Sequence, residues 1–279
     1  RDLHRVDRRQ RQSCIRDSFN LSLNARKNER LRLRLINAAN ARSFQLGLEG
    51  LDGWAIALDG MPLTAPVKVT EAMILAPAQR IDLIVDVVAD VGETAHILQF
   101  GREEAFSQVA FEVVEGGTAN RRDGPSALPP NDHRMVDLRE AATLSLSMEG
   151  GAMGRMRSAS LGGELKPIGE IVEAGYFWSF NGKVDGINGD PLARLDRGQN
   201  VRLKMVNDTA FPHAMHLHGI HFHEVAENGT LGPLRDTTLL ERGQTREIAF
   251  VADNPGQWLL HCHMLSHAAS GMMTKIVVG

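Results

Sequence analysis

Six of the chain's eleven histidines fall in two short runs, and one run contains a cysteine. The first is Phe211-Pro212-His213-Ala214-Met215-His216-Leu217-His218-Gly219. The second runs from Trp258 through His261, Cys262 and His263 to His267, with Met272 ten residues past the cysteine. In an extended strand, residues i and i+2 share a face and i+1 points the other way. His216 and His218 then face one side together. His261 and His263 do the same, while Cys262 points opposite, so one strand addresses two metal sites. His213 and His267 lie outside these strand segments and bend back to join Cys262. Two imidazoles, a thiolate and a weak axial thioether make the ligand set of a blue copper electron-transfer site. Here that set is His213, Cys262, His267 and Met272. A lone histidine in a strand is usually an ordinary core or surface residue, but interlocking HxH and HCH patterns are not reached by chance. Zinc also takes His and Cys, yet one cysteine with two spare histidine pairs fits it poorly.

Such ligands need strands to hold them, and the sequence supplies strands in duplicate. Asn28-Glu-Arg-Leu-Arg-Leu-Arg-Leu-Ile-Asn37 and Gly198-Gln-Asn-Val-Arg-Leu-Lys-Met-Val-Asn207 both alternate apolar and polar residues and end in Asn, at an offset of 170 residues. This is the period-two mark of a half-buried strand. Pro77 to Asp86 and Arg242 to Val251 form a second such pair, each followed by a Gly (Gly92, Gly256) and another apolar strand. Two β domains of one architecture follow from this order. Gly116 to His133 is dense in Gly, Pro, Asn, Asp and Ser and reads as a linker. No stretch shows strong helical periodicity. The expected organisation is a charged leader at 1–17, a first domain at 18–117, a linker at 118–134 and a second domain at 135–279.

Composition narrows the classes of function. The 279 residues suffice for two cores. A net charge of −3 makes neither nucleic acid nor an anionic membrane an obvious partner, and no apolar run is long enough to span a bilayer. The chain begins with Arg1 rather than Met, as a processed or partial product would. Cys14 lies in the charged leader and reads as an unpaired thiol, because Cys262 is needed as a thiolate. Met153 and Met156 sit in a Gly-rich loop. Soft sulfur can bind Cu(I), but scattered methionines in a loop are more often incidental.

At these residues the sequence resembles the multicopper oxidases, the family of laccases and cuprous oxidases. Their HPxHLHGH and HCHxxxHxxxGM patterns read here HAMHLHGI and HCHMLSHAASGM. NERLRLRLINAANARSF and LDGMPL are similar to the middle domain of bacterial three-domain members, and FNGKVDG and VRLKMVNDTAFPH to their third domain. The resemblance covers most of residues 18–279 and implies an all-β fold of two cupredoxin-like Greek-key domains. It implies a type 1 copper on His213, Cys262, His267 and Met272. It makes His216 a type 2 ligand and His218, His261 and His263 type 3 ligands. Electrons from a phenol, an aromatic amine or Cu(I) would enter at the type 1 copper. They would pass along Cys262 to His261 and His263 and reduce dioxygen to water. Relatives of this kind are usually periplasmic or secreted.

Two departures from the family pattern stand out. A complete trinuclear cluster uses four HxH-type pairs, and this chain has two in place. The positions matching His213, His216, His218 and Cys262 in the first half are Ser43, Leu46, Leu48 and Leu98, so the first domain is a metal-free copy. His4, His96, His133, His221 and His223 read as surface or supporting residues. Ala268 stands where some relatives carry an acidic residue thought to deliver protons, and Ala214 replaces the motif's usual Pro. The leading expectation is therefore the middle and C-terminal part of a three-domain oxidase, completed by an N-terminal cupredoxin domain. Two alternatives are a bare blue copper electron carrier with a vestigial half-site and a two-domain oxidase that completes its cluster across subunits.

Overall fold

Alternating Arg and Leu in Arg30–Ile36 builds a strand with one apolar and one charged face. A computed structural model describes residues 21–279; the charged leader at 1–17, with His4 and Cys14, lies outside the described residues. Leu31, Leu33 and Leu35 pack on a buried cluster around Leu83 and Val85. The arginines meet carboxylates of the neighbouring strand Arg80–Val87: Arg30 pairs with Asp86 at 2.7 Å and Arg32 with Asp82 at 2.7 Å. The counterpart strand Gln199–Asn207 buries Val201, Leu203 and Met205 and turns Arg202 toward Glu247 at 2.7 Å.

Residues 21–114 form two sheets. One orders Leu21–Arg26, Ala105–Val114, Thr94–Phe100, Phe44–Glu49 and Met73–Leu75; the other orders Arg30–Ile36, Arg80–Val87, Leu51–Leu58 and Met61–Lys68. Residues 142–278 repeat the plan. Ala193–Leu195, Met273–Val278, Gly256–Cys262, His213–Leu217 and Thr237–Leu240 form one sheet. Trp178–Phe180, Ala142–Gly150, Gln199–Asn207, Thr245–Ala252, Phe222–Val225 and Leu231–Arg235 form its partner. In both halves a parallel pair stands at one edge of a sheet, and in the second half Ala142–Gly150 also runs parallel to Gln199–Asn207; the other pairings are antiparallel, with sequence neighbours and non-neighbours interleaved. The sheets are open, so each half is a sandwich rather than a closed barrel. Each has its own core, one around Leu83, Val85 and Phe111, the other around Leu203, Phe222 and Phe250.

Helix is confined to Ile168–Glu173, Leu265–Ala269 and a turn at Gly186–Asn188 among the described residues. None is long and apolar enough to cross a membrane. The repeated terminal asparagines have a shared role. Asn37 and Asn207 are both buried, and each amide donates to one carbonyl of the following loop, Arg42 or Phe211, and to one at the end of a distant edge strand, Leu75 or Glu241. In the second half that loop delivers His213.

Candidate metal centre

The strand His213–Leu217 lies antiparallel to Gly256–Cys262, with Met215 opposite Cys262 and His216 opposite His261. Strand alternation then sorts the side chains. His213, in phase with Met215, joins Cys262 on the core side, and His216 joins His261 on the other. His213 therefore sits inside a strand. The expectation that it bends back from outside one is corrected: its position two residues before Met215 already aims it at Cys262. His267 reaches the same point from the short helix Leu265–Ala269.

Three donor atoms converge there. Cys262 Sγ is 3.7 Å from His213 Nδ1 and 3.8 Å from His267 Nδ1, and the two nitrogens are 3.1 Å apart. A point equidistant from all three lies about 2.1 Å from each, the length of a metal–imidazole bond and close to the roughly 2.3 Å of a metal–thiolate bond. Among the described residues this is the one group of three metal donors so placed. Cys262 and His213 are fully buried, as is Met272. The loop back to Met272 is closed by two backbone hydrogen bonds, from Met272 N–H to His267 O at 3.0 Å and from Cys262 N–H to Met272 O at 3.1 Å. Trp178 walls the site, its ring centre 4.6 Å from that of His267 and 5.1 Å from that of His213.

Burial sets the protonation of these groups. It pushes the Cys262 thiol up to about 12. It holds His213 down at about 3, with repulsion from His267 adding to the effect. Neutral imidazole is the form a metal needs. Its orientation is fixed by Thr209. The Thr209 hydroxyl donates to Asn207 Oδ1 at 2.7 Å and accepts from His213 Nε2 at 2.7 Å, so Nδ1 is left bare toward Cys262. Sequence reading missed Thr209 and Trp178. The terminal Asn207, followed two residues later by Thr, was the signal available for the first.

On the opposite face His216, His218, His261 and His263 form a second cluster. Ring centres are 4.6 Å apart for His216 and His218, 5.7 Å for His216 and His261, and 5.5 Å for His261 and His263. His218 Nε2 and His261 Nε2 are 3.0 Å apart. His261 is held at about 4, first by burial and then by its imidazole neighbours. Its Nδ1 donates to Cys262 O at 2.9 Å, whereas the buried His263 Nδ1 has no partner among the described residues. The donor set on this face is four imidazoles without a thiolate.

The remaining histidines differ in surroundings. His96 bonds Ser107 at 2.9 Å, and His133 is exposed. His223 is buried, its Nδ1 donating to Gly232 O at 2.6 Å, as a supporting residue would. Met153 is exposed, while Met156 packs on a small cluster with Ile171. Ala268 is buried and apolar, so the position offers no proton.

Sequence reasoning also missed Asp236, which sits beside His216 and is gripped by Arg80 of the first half. Burial opposes its ionisation, but hydrogen bonds from His216 and Arg80 outweigh that and hold the carboxyl well below the usual carboxylate range.

Family models described as multicopper oxidase match residues 6–110 and 165–279. The multicopper oxidase MmcO of Mycobacterium tuberculosis is 28% identical over 260 residues, which is 91% of this chain and 47% of that protein. The crystal structure of Lac15 from a marine microbial metagenome is 38% identical, with a TM-score of 0.71 over 92% of this chain and 57% of that one. A multi-copper oxidase structure from Pseudomonas thermotolerans gives a TM-score of 0.74 at 28% identity, covering 93% of this chain and 57% of the other. The chain spans about half the length of the curated relatives it matches. Two matching family models, cupredoxin-type neighbours in structure and a His-Cys-His group in the type 1 copper arrangement agree, and the chain belongs to the multicopper oxidase family.

Proposed function

We propose that residues 18–117 and 135–279 are the middle and C-terminal domains of a laccase-like oxidase. In this reading it removes single electrons from small reducing substrates, such as phenols, aromatic amines or Cu(I), and delivers them to dioxygen. His213, Cys262, His267 and Met272 would hold a type 1 copper, His216 a type 2 copper, and His218, His261 and His263 type 3 coppers. Copper bound at the thiolate site would supply one-electron redox chemistry. The observation that carries the reading is the two-faced strand: Cys262 turns its sulfur to His213 and His267, while its covalent neighbours turn to His216 and His218. The path from one site to the other is thus a single peptide unit on either side of Cys262. Burial of Cys262 and His213 keeps water from the sulfur. The separate cores support the domain division. Two of four histidine pairs are on this chain, so an N-terminal domain would supply the rest, and the family resemblance makes the setting periplasmic or extracellular.

Copper titration with visible and electron paramagnetic resonance spectroscopy tests the assignment. The expected result is an intense blue band that saturates at one copper per chain and is absent in Cys262→Ser. A copper-loaded chain without that band overturns it. Oxygen uptake with a phenol, measured on the chain joined to the domain carrying the other histidine pairs, tests the activity.

A further inference from the structure

The first half binds no metal in this reading, yet it reaches a metal ligand of the second half through fixed hydrogen bonds. Arg80 donates to both oxygens of Asp236, at 2.9 and 2.7 Å. Its own position is set by Ala78 O at 2.9 Å and Asp59 O at 2.8 Å. Asp59 also accepts the Asp236 backbone N–H at 3.3 Å, and Gln79 donates to Thr237 O at 3.0 Å. The two halves are therefore locked together at Asp236 and Thr237.

The direction of the next bonds follows from which groups own a proton. A carboxylate paired with a guanidinium only accepts. The Thr237 hydroxyl, 2.8 Å from Asp236 Oδ1, must spend its proton there. What it turns to His216 Nδ1, 3.0 Å away, is a lone pair. The other neighbours of Nδ1 are Asp236 O at 2.9 Å and Asp236 Oδ1 at 3.5 Å, both acceptors. Nδ1 must then carry a proton, and in the neutral ring Nε2 is left bare. We infer that Asp236, clamped by Arg80 of the metal-free half, is a positioning residue that orients the Thr237 hydroxyl and so fixes His216 in the tautomer that presents Nε2 to a metal. The role given to His216 rests on the functional reading above; the tautomer does not.

Long-range proton–nitrogen NMR on the metal-free, histidine-labelled chain reads the tautomer directly. The wild type shows His216 wholly in the Nδ1–H form. In the double variant Arg80→Met with Asp236→Asn, which removes both members of that ion pair, the Thr237 hydroxyl can turn and donate, and both tautomers appear. Adding Thr237→Val restores the single form, because the hydroxyl that could donate is gone while the residue-236 carbonyl still accepts from Nδ1; a general loosening of the fold would not be reversed this way. A second equivalent of Cu(II), added after the thiolate site is filled, binds about 10–100-fold more weakly in the double variant, the usual effect of losing an outer partner. A wild-type chain with an Nε2–H or mixed His216 overturns the inference, even if the variants do not fold. So does a double variant that keeps one tautomer and binds the second Cu(II) within twofold of wild type. Absence of the blue band would instead sink the copper assignment and leave the NMR result standing.

Discussion

At the scale of single residues, His213 is held to its aim by Thr209, whose hydroxyl accepts the Nε2–H and leaves Nδ1 facing Cys262. His213, Cys262 and His267 announce themselves by donor type and spacing. Thr209 does not, because threonine is common in loops and its meaning depends on Asn207 and His213 folding around it. Removing the hydroxyl in Thr209→Val leaves His213 Nε2 buried without a partner. The expected outcome is a loss of about 1–3 kcal/mol of stability and about 10–100-fold weaker copper binding at the thiolate site, checked by urea unfolding and chelator competition; unchanged affinity contradicts it. Protonation gives a second prediction. Cys262, pushed up to about 12, is a thiol at neutral pH, while His213, held at about 3, is already bare. Copper uptake at neutral pH therefore releases the thiol proton, and apparent affinity rises about tenfold per pH unit. Proton release measured with a pH indicator during titration checks this, and copper binding without release contradicts it.

At the scale of elements, alternation was enough to find the strands, because Leu31, Leu33 and Leu35 or Val201, Leu203 and Met205 must face a core while arginines between them face carboxylates. Register was not available from sequence. Met215 opposes Cys262 through hydrogen bonds between strands whose order no local pattern states. That pairing is why His213 proved to be a strand residue. The turn from Cys262 to Met272 is equally a matter of close approach. Gly271 has φ +121°, and a Cβ there would lie 1.9 Å from Trp178 O. Backbone, unlike the end of a flexible side chain, has little room to yield. Gly271→Ala is expected to cost about 1–3 kcal/mol in backbone strain alone and, by displacing Trp178 or Met272, to shift or bleach the blue band. Chemical denaturation and absorption spectra check both effects, and a stable variant with an unaltered spectrum contradicts the argument.

At the scale of the whole molecule, the duplication was readable, but the contact between halves was not. Arg80 and Asp236 are 156 residues apart, and each is an ordinary charged residue until the fold sets them face to face. The other whole-molecule property is the concentration of neutral imidazoles in one domain, which makes metal-free stability depend on pH. An unfolded histidine takes up a proton near pH 6.5, whereas His261 resists until about 4 and His213 until about 3. Between about pH 6.5 and 4 the unfolded state therefore binds protons that the folded state refuses, and stability falls as pH falls. Each fully resistant histidine contributes up to about 1.4 kcal/mol per pH unit. His218, His263 and His267 are shifted the same way. Asp59 works in the opposite sense, since burial raises its carboxyl and favours the protonated form, but it is one group against several. Asp236 is held low, so its contribution is lost only below this window. Urea unfolding of the metal-free chain at pH 7, 6 and 5 should therefore show a steepening loss of stability. In the copper-loaded chain bound metal adds to stability at each pH, so the loaded curve should lie above the metal-free one. A metal-free chain whose stability stays level from pH 7 to 5 would show that the histidines are hydrated rather than sealed in the fold.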